Sequence, residues 1–262
     1  MSVPRLYVRD VSIAFGGLKA VSDFRLELPE GALYGLIGPN GAGKTTLFNL
    51  LTGVYAPDTG QIQLQGRSLL GLPPHKRAAA GLARTFQNIR LFGELSVLDN
   101  VRIAMHQRSR ATVIDAMLRT ARWHGEERAM TELAMELLGL FGLADRYNEQ
   151  ARNLPYGDQR RLEIARALAL APKVLLLDEP AAGMNPQEKQ ALRELVRRVR
   201  DEFKLSVLLI EHDMGLVMDI CERITVLDHG VVIAEGTPDQ VQRDPKVIEA
   251  YLGTGAAEEP PA

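Results

Sequence analysis

A chain of 262 residues, 46% hydrophobic and 24% charged, has enough apolar material for one soluble domain with two lobes. Its formal net charge of −2 supplies no basic footprint for a phosphate backbone, so no nucleic-acid partner is expected. The single cysteine, Cys221, excludes an internal disulfide and fits a reducing compartment. The first residues, Met1 to Arg5, lack the apolar core of a secretory signal, and no apolar run approaches the ~20 residues that cross a bilayer. Work at a membrane would therefore require docking on a partner that spans it.

In chain order, Leu6-Tyr7-Val8 and Val11-Ser12-Ile13 read as short strands, and Phe24, Leu26 and Leu28 alternate with polar residues. Leu33 to Ile37 forms an apolar strand that enters a glycine-rich loop, followed by helix formers from Thr46 to Leu51. Gln61 to Gln65 alternates as a half-buried strand. From about Val97 to Asn153 Leu, Ala, Met, Arg and Glu dominate, which predicts an inserted helical lobe with a polar break near Trp123-His124-Gly125. Five arginines, Arg108, Arg110, Arg119, Arg122 and Arg128, surround Trp123; they read either as a solvated helix face or as a contact for a permease or anionic lipid. After Pro155 the alternation of helix and strand returns. Lys173 to Leu177 and Val207 to Ile210 are continuous apolar runs suited to buried parallel strands. Leu192, Leu195, Val196, Val199 and Phe203 share a helix face, and Asp228-His229-Gly230 marks a hairpin turn. The tail, residues 253–262, reads as disordered.

The loop Gly38-Pro39-Asn40-Gly41-Ala42-Gly43-Lys44-Thr45 matches the Walker A pattern between a strand and a helix. Glycines let its N–H groups turn inward toward phosphate oxygens, and the following helix start adds partial positive charge. Lys44 is expected on the β- and γ-phosphates of ATP, the Thr45 hydroxyl on Mg²⁺, and Thr46 on the α-phosphate. Downstream, Leu175-Leu176-Leu177-Asp178-Glu179 ends a buried strand in two carboxylates. Asp178 is placed to bind Mg²⁺ through water, and Glu179, pointing the other way along the pleat, to orient or deprotonate the attacking water. These two motifs alone say NTPase or kinase.

Three further segments resemble the ABC (ATP-binding cassette) ATPase family. Leu154-Pro155-Tyr156-Gly157-Asp158-Gln159 is similar to its signature motif, with Pro155 in the place of the usual serine and Asp158 in that of a glutamine. The resemblance implies that Pro155, Tyr156, Gly157 and the helix they open would cap the γ-phosphate held by the opposite subunit. Pro155 has no hydroxyl to offer that phosphate, and Asp158 is unfavourable there unless it turns aside. Gln87, within Arg84-Thr85-Phe86-Gln87-Asn88, resembles the Q-loop glutamine that touches Mg²⁺ and the attacking water. His212, after a buried strand, resembles the switch histidine that contacts the γ-phosphate. Ala181 to Pro186 looks like the D-loop, with Asn185 replacing an aspartate. An aromatic near the N-terminus would stack on adenine, Phe15 first and Tyr7 second.

The resemblance runs from about Leu6 to Leu252 and implies an α/β P-loop cassette: a RecA-like core, an antiparallel β subdomain and a helical subdomain inserted at about residues 93–155, within one ATPase domain of residues 1–252. The segments Gly81 to Phe92, Leu154 to Arg166 and Ile248 to Gly253 look like the LivG-type ATPases of branched-chain amino acid importers. That likeness implies a second ATPase subunit in a homo- or heterodimer, two transmembrane permeases, a periplasmic or extracellular solute-binding protein, and a place on the cytoplasmic face of the inner membrane. The alternatives are a lipopolysaccharide-export type ATPase, or a soluble cassette protein acting on DNA or the ribosome. The latter usually carries a coiled-coil insertion or two fused cassettes, and this chain has neither.

Overall fold

The structure is a computed structural model and describes residues 3–109 and 111–252; Arg110 and the tail at residues 253–262 lie outside the described residues. The chain divides into two compact units, one of residues 1–84 and 173–262 and the other Thr85–Pro172.

The first unit opens with β1 (Leu6–Phe15), β2 (Leu18–Leu28), β3 (Leu33–Ile37), α1 (Lys44–Thr52), β4 (Thr59–Leu64), β5 (Arg67–Ser68), α2 (Pro74–Ala80) and β6 (Leu82–Arg84). The second unit holds α3 (Val97–Met105), α4 (Val113–Leu118), α5 (Ala121–Leu140) and α6 (Tyr156–Leu168). The chain then returns to the first unit with β7 (Val174–Asp178), α7 (Pro186–Phe203), β8 (Ser206–Ile210), α8 (Met214–Ile220), β9 (Arg223–Asp228), β10 (Val231–Gly236), α9 (Pro238–Gln242) and α10 (Pro245–Leu252).

Two sheets build the first unit. Strands β2-β1-β4-β5 form an antiparallel sheet; β10-β9-β3-β8-β7-β6 form the other, in which only β10 runs antiparallel to its neighbour. The two runs expected before and after Arg9-Asp10 are one strand, β1, because Asp10 adopts φ 52 and shifts the register there without ending the pairing. All five residues of β7 and of β8 are buried, which explains why those strands read as unbroken apolar runs. The hairpin expected at residues 228–230 joins β9 to β10 through His229 and Gly230, both with positive φ.

α1 is locked into this unit. Leu47, Phe48, Leu50 and Leu51 are fully buried in a core that reaches β1, β2, β4 and β7. Four apolar side chains in the first three turns therefore hold the helix, and with it the loop before it, in one place. α7 buries Leu192, Val196 and Val199 as its periodicity predicts, while Phe203 at its end stays exposed.

In the second unit α3 packs on α5 and α6, and Val97, Val101, Leu137, Leu138 and Leu162 on these helices are buried. Asn100 is fully buried with its amide satisfied: it accepts from the Phe92 N–H (2.9 Å) and donates to the Phe92 and Ser96 carbonyls (3.0 Å each). The polar break expected near Trp123-His124-Gly125 is not there. α5 runs through these residues, and the chain breaks earlier, at Arg119 (φ 48), where Thr120 caps α5 by accepting from the Trp123 N–H at 3.3 Å. The cap residue, rather than the polarity of the following turn, decides the helix start.

Phe48→Ala removes a fully buried ring under the phosphate-loop helix. A loss of about 3–5 kcal/mol in urea unfolding is expected, with the midpoint lowered and the slope unchanged.

Candidate nucleotide site

β3 ends at Ile37, and Gly38 to Gly43 turn the chain directly into α1. Two glycines are required by close approach. A Cβ on Gly38 (φ +152) would lie 2.0 Å from the Leu227 carbonyl oxygen, and one on Gly43 (φ +102) would lie 2.5 Å from the Ala20 carbonyl oxygen. The loop is thus pressed between β9 and the β1–β2 hairpin, and its curvature follows from that squeeze. α1 begins at Gly43 with no side-chain cap, so the N–H groups of Lys44, Thr45 and Thr46 open an anion-binding helix end.

Lys44 is buried and folds back over the loop, donating to the Gly38 and Pro39 carbonyls at 2.6 and 2.8 Å. Burial pushes its ammonium below the usual lysine range, and the negative charges of Glu179 and Asp178 push it back up. A buried cation under an uncapped helix end is a cradle for phosphate. Its anionic neighbours come from β7, whose last residue is Asp178.

Asp178 accepts from Arg84 Nη2 at 2.6 Å. Glu179 follows with φ 46, a left-handed conformation that a side chain rarely takes, held by its N–H bond to the Ile210 carbonyl (2.9 Å). His212 Nδ1 lies 3.5 Å from Glu179 Oε2, with the imidazole 59% exposed. Glu179 and His212 thus meet at the ends of adjacent parallel strands, where Asp178 pairs in register with Ile210. Thr45 on α1 and Asp178 on β7 suit Mg²⁺, which takes a hydroxyl and one carboxylate together with phosphate oxygens. No cluster of three or more acidic, histidine or cysteine residues among the described residues forms an all-protein cage.

Glu211, which sequence reasoning passed over, is fully buried between these groups. It accepts from the N–H groups of Ala181 (2.7 Å) and His212 (3.2 Å), so it fixes the loops after β7 and β8; burial raises its carboxyl despite those bonds. Tyr251 on α10 is also new. Its hydroxyl oxygen is buried without a hydrogen-bond partner among the described residues, and burial raises the hydroxyl's pKa. Neither residue carries a motif of its own, so only the fold reveals them. Asn185 caps α7 by accepting from the Glu188 N–H at 3.0 Å, while Glu188 returns the bond to the Asn185 N–H.

Phe15 ends β1, is 45% exposed and meets Tyr55 edge-to-face at 5.2 Å between ring centroids. It lies on the hairpin whose Ala20 backs onto Gly43. Tyr7 is the second residue of β1, half-buried, between β2 and β4.

The second unit holds Gln87 and the residues that open α6. Pro155 caps α6 with no side-chain bond, so its substitution leaves the helix start to backbone N–H groups. Asp158 does turn aside: it is bound by Arg146 at 2.7 Å and by Arg161. Arg160, fully buried, donates to the Phe86 carbonyl (2.6 Å), the Gln87 carbonyl (2.7 Å) and Glu163 (2.8 Å). Glu163 in turn accepts from the Phe86 and Arg90 N–H groups at 3.3 Å each. The segment around Gln87 and the start of α6 are thereby one hydrogen-bonded piece.

With the loop, the carboxylate strand and the α6 opening in place, comparison with known proteins decides the family. A family model described as "ABC transporter" matches residues 21–182. The chain belongs to the ABC transporter family. Its cassette is an ATPase. A second model, "Branched-chain amino acid ATP-binding cassette transporter", matches residues 231–257. The chain is 47% identical, over 97% of its length and 99% of theirs, to the high-affinity branched-chain amino acid transport ATP-binding protein LivG of Escherichia coli (strain K12) and of Salmonella typhimurium. It is 36% identical to the lipopolysaccharide export system ATP-binding protein LptB of Acidithiobacillus ferridurans, over 89% of this chain and 90% of that one. Among solved structures, the ADP conformation of MJ1267, an ATP-binding cassette of an ABC transporter, superposes with a TM-score of 0.83 at 29% identity, covering 97% of this chain and 99% of that one.

Because Lys44 is depressed in the free protein and phosphate charge raises it again, ATP binding in alkaline buffer takes up protons. Calorimetric titrations of the wild type at alkaline pH in buffers of different ionisation enthalpy should show net proton uptake that shrinks toward neutral pH, and an uptake that does not change with pH would contradict a depressed Lys44.

Proposed function

We propose that the chain binds ATP with Mg²⁺ and hydrolyses it to power an importer of branched-chain amino acids or related small polar solutes. What carries the reading is the meeting of buried Lys44 with Asp178 and Glu179 at one sheet edge, in a chain 47% identical over nearly its whole length to LivG proteins. The match at residues 231–257 and the lower identity to LptB favour this cargo class over lipopolysaccharide.

In this reading the N–H groups of residues 38–46 and the Lys44 ammonium bind the phosphates. Thr45 and Asp178, joined by Gln87, would hold Mg²⁺, and the ion would supply neutralisation of phosphate charge. Glu179 accepts the proton of the attacking water, with the left-handed backbone aiming its carboxylate. His212 contacts the γ-phosphate and the Glu179 carboxylate. Phe15 stacks on adenine. Pro155, Tyr156 and Gly157 present the α6 helix end to the nucleotide of a second cassette, so two ATP molecules hold two cassettes together. Closure is a population shift that ATP drives by binding the closed pair better than the open one, and hydrolysis reverses it.

No helix of the described residues is long and apolar enough to cross a membrane. The proposed complex therefore adds a second ATPase subunit, two permeases and a solute-binding protein, with this chain on the cytoplasmic face of the inner membrane. The proposed cassette domain spans residues 1–252.

Glu179→Gln should keep ATP affinity within about threefold while hydrolysis falls by about 10²-fold or more, and ATP-bound dimers should accumulate in size-exclusion chromatography. Wild-type turnover in that variant would remove Glu179 from the role of base. Lys44→Ala should abolish tight nucleotide binding, and in vesicles carrying the permeases it should stop ATP-dependent leucine uptake. Uptake that persists would disconnect the chain from that transport.

A further inference from the structure

Arg84, the last residue of β6, has no role in the site described above, yet its guanidinium spans two parts of it. Nη2 donates to Asp178 Oδ2 at 2.6 Å, and Nη1 donates to Asn49 Oδ1 at 2.7 Å. The side chains of Arg84 and Asp178 are 6% and 5% exposed, so the ion pair is removed from water. The guanidinium also lies 5.4 Å from the centroid of the Phe48 ring. That contact holds its plane against α1.

Asn49 stands four residues after Thr45 on α1, one helical turn along the same face. Arg84 therefore ties the helix that carries Thr45 to the strand end that carries Asp178. We propose that Arg84 is a positioning residue that sets the spacing and orientation of these two groups toward the metal of Mg·ATP. The proposal rests on the reading of Thr45 and Asp178 as the protein's Mg²⁺ groups.

The physical reason lies in the chemistry of the fork. A planar guanidinium donates along two fixed directions, so it can fix two partners at once; an ammonium is a point charge that cannot. It also neutralises one oxygen of a buried carboxylate, and a buried carboxylate without such a partner is strongly unfavourable. Lys44 feels the same Asp178 charge electrostatically. Without Arg84 the tie between the Asp178 carboxylate and α1 is lost, and with it the orientation in which that carboxylate faces the metal.

The test measures nucleotide affinity by fluorescence titration of trinitrophenyl-ATP into the full chain, once in EDTA and once in excess Mg²⁺. The gain on adding Mg²⁺ is the readout. The wild type should show a clear gain. Arg84→Met should keep the EDTA affinity within about twofold and lose about tenfold of the Mg²⁺ gain, the scale at which outer groups orient metal ligands. Arg84→Lys, which keeps the charge but not the fork, should lose about threefold, and so should Asn49→Ala, which cuts the tie to α1 and leaves the Asp178 pair intact. Should Arg84→Met fail to fold, Arg84→Lys and Asn49→Ala decide the matter. A full wild-type Mg²⁺ gain in the folded variants overturns the proposal, as does an equal loss with and without Mg²⁺, which a merely structural role would produce. No gain in the wild type would overturn the metal reading itself, and this inference with it.

Discussion

The structure depends on one electrostatic circumstance: a helix that starts without a cap, at the end of a central buried strand, over a buried lysine. The N–H groups of Lys44 to Thr46 have no side-chain cap, and the Lys44 ammonium is satisfied by carbonyls of its own loop. Such a place offers uncapped N–H groups and a cation together, so it favours an anion with several oxygens. The buried face of α1 keeps it there. Leu47, Phe48, Leu50 and Leu51 leave the helix no freedom to tilt away from β3.

The surrounding carboxylates follow from the parallel sheet. β7 and β8 lie side by side and end at one edge, so Asp178 and Glu179 emerge next to Glu211 and His212. Each acid is handled differently. Asp178 is paired with Arg84, Glu211 is held by backbone N–H groups, and Glu179 is carried on a strained residue whose N–H is pinned to β8. In the proposed reading, three carboxyl groups at one strand edge serve as metal group, loop brace and base, because their surroundings set their chemistry.

The second unit applies the same economy to its own pieces. Arg160 and Glu163, an i, i+3 pair on α6, bind the backbone on both sides of Gln87, so that segment and the α6 helix start move together. The second unit begins at Thr85 for this reason, although the composition changes only from about Val97. Asp158, near the start of α6, is bound by Arg146 and Arg161.

Much was written in the amino-acid order itself. The apolar runs at Leu33 to Ile37, Lys173 to Leu177 and Val207 to Ile210 announce buried parallel strands, since burial on both faces demands unbroken hydrophobicity. Glycine spacing before Lys44-Thr45 announces the phosphate loop, because only that curvature points backbone N–H groups inward. The helix start at Thr120 was hidden behind the polar residues Trp123 to Gly125, and the continuity of β1 behind Asp10, because caps and bulges depend on local backbone angles rather than on polarity. Arg84, Glu211, Tyr251 and the Arg160–Glu163 pair were decided by tertiary structure alone. The partners of Arg84, Glu211, Arg160 and Glu163 lie up to 94 residues away in the chain, and a charged residue reveals its task only when folding shows which opposite charge or backbone group it must satisfy away from water.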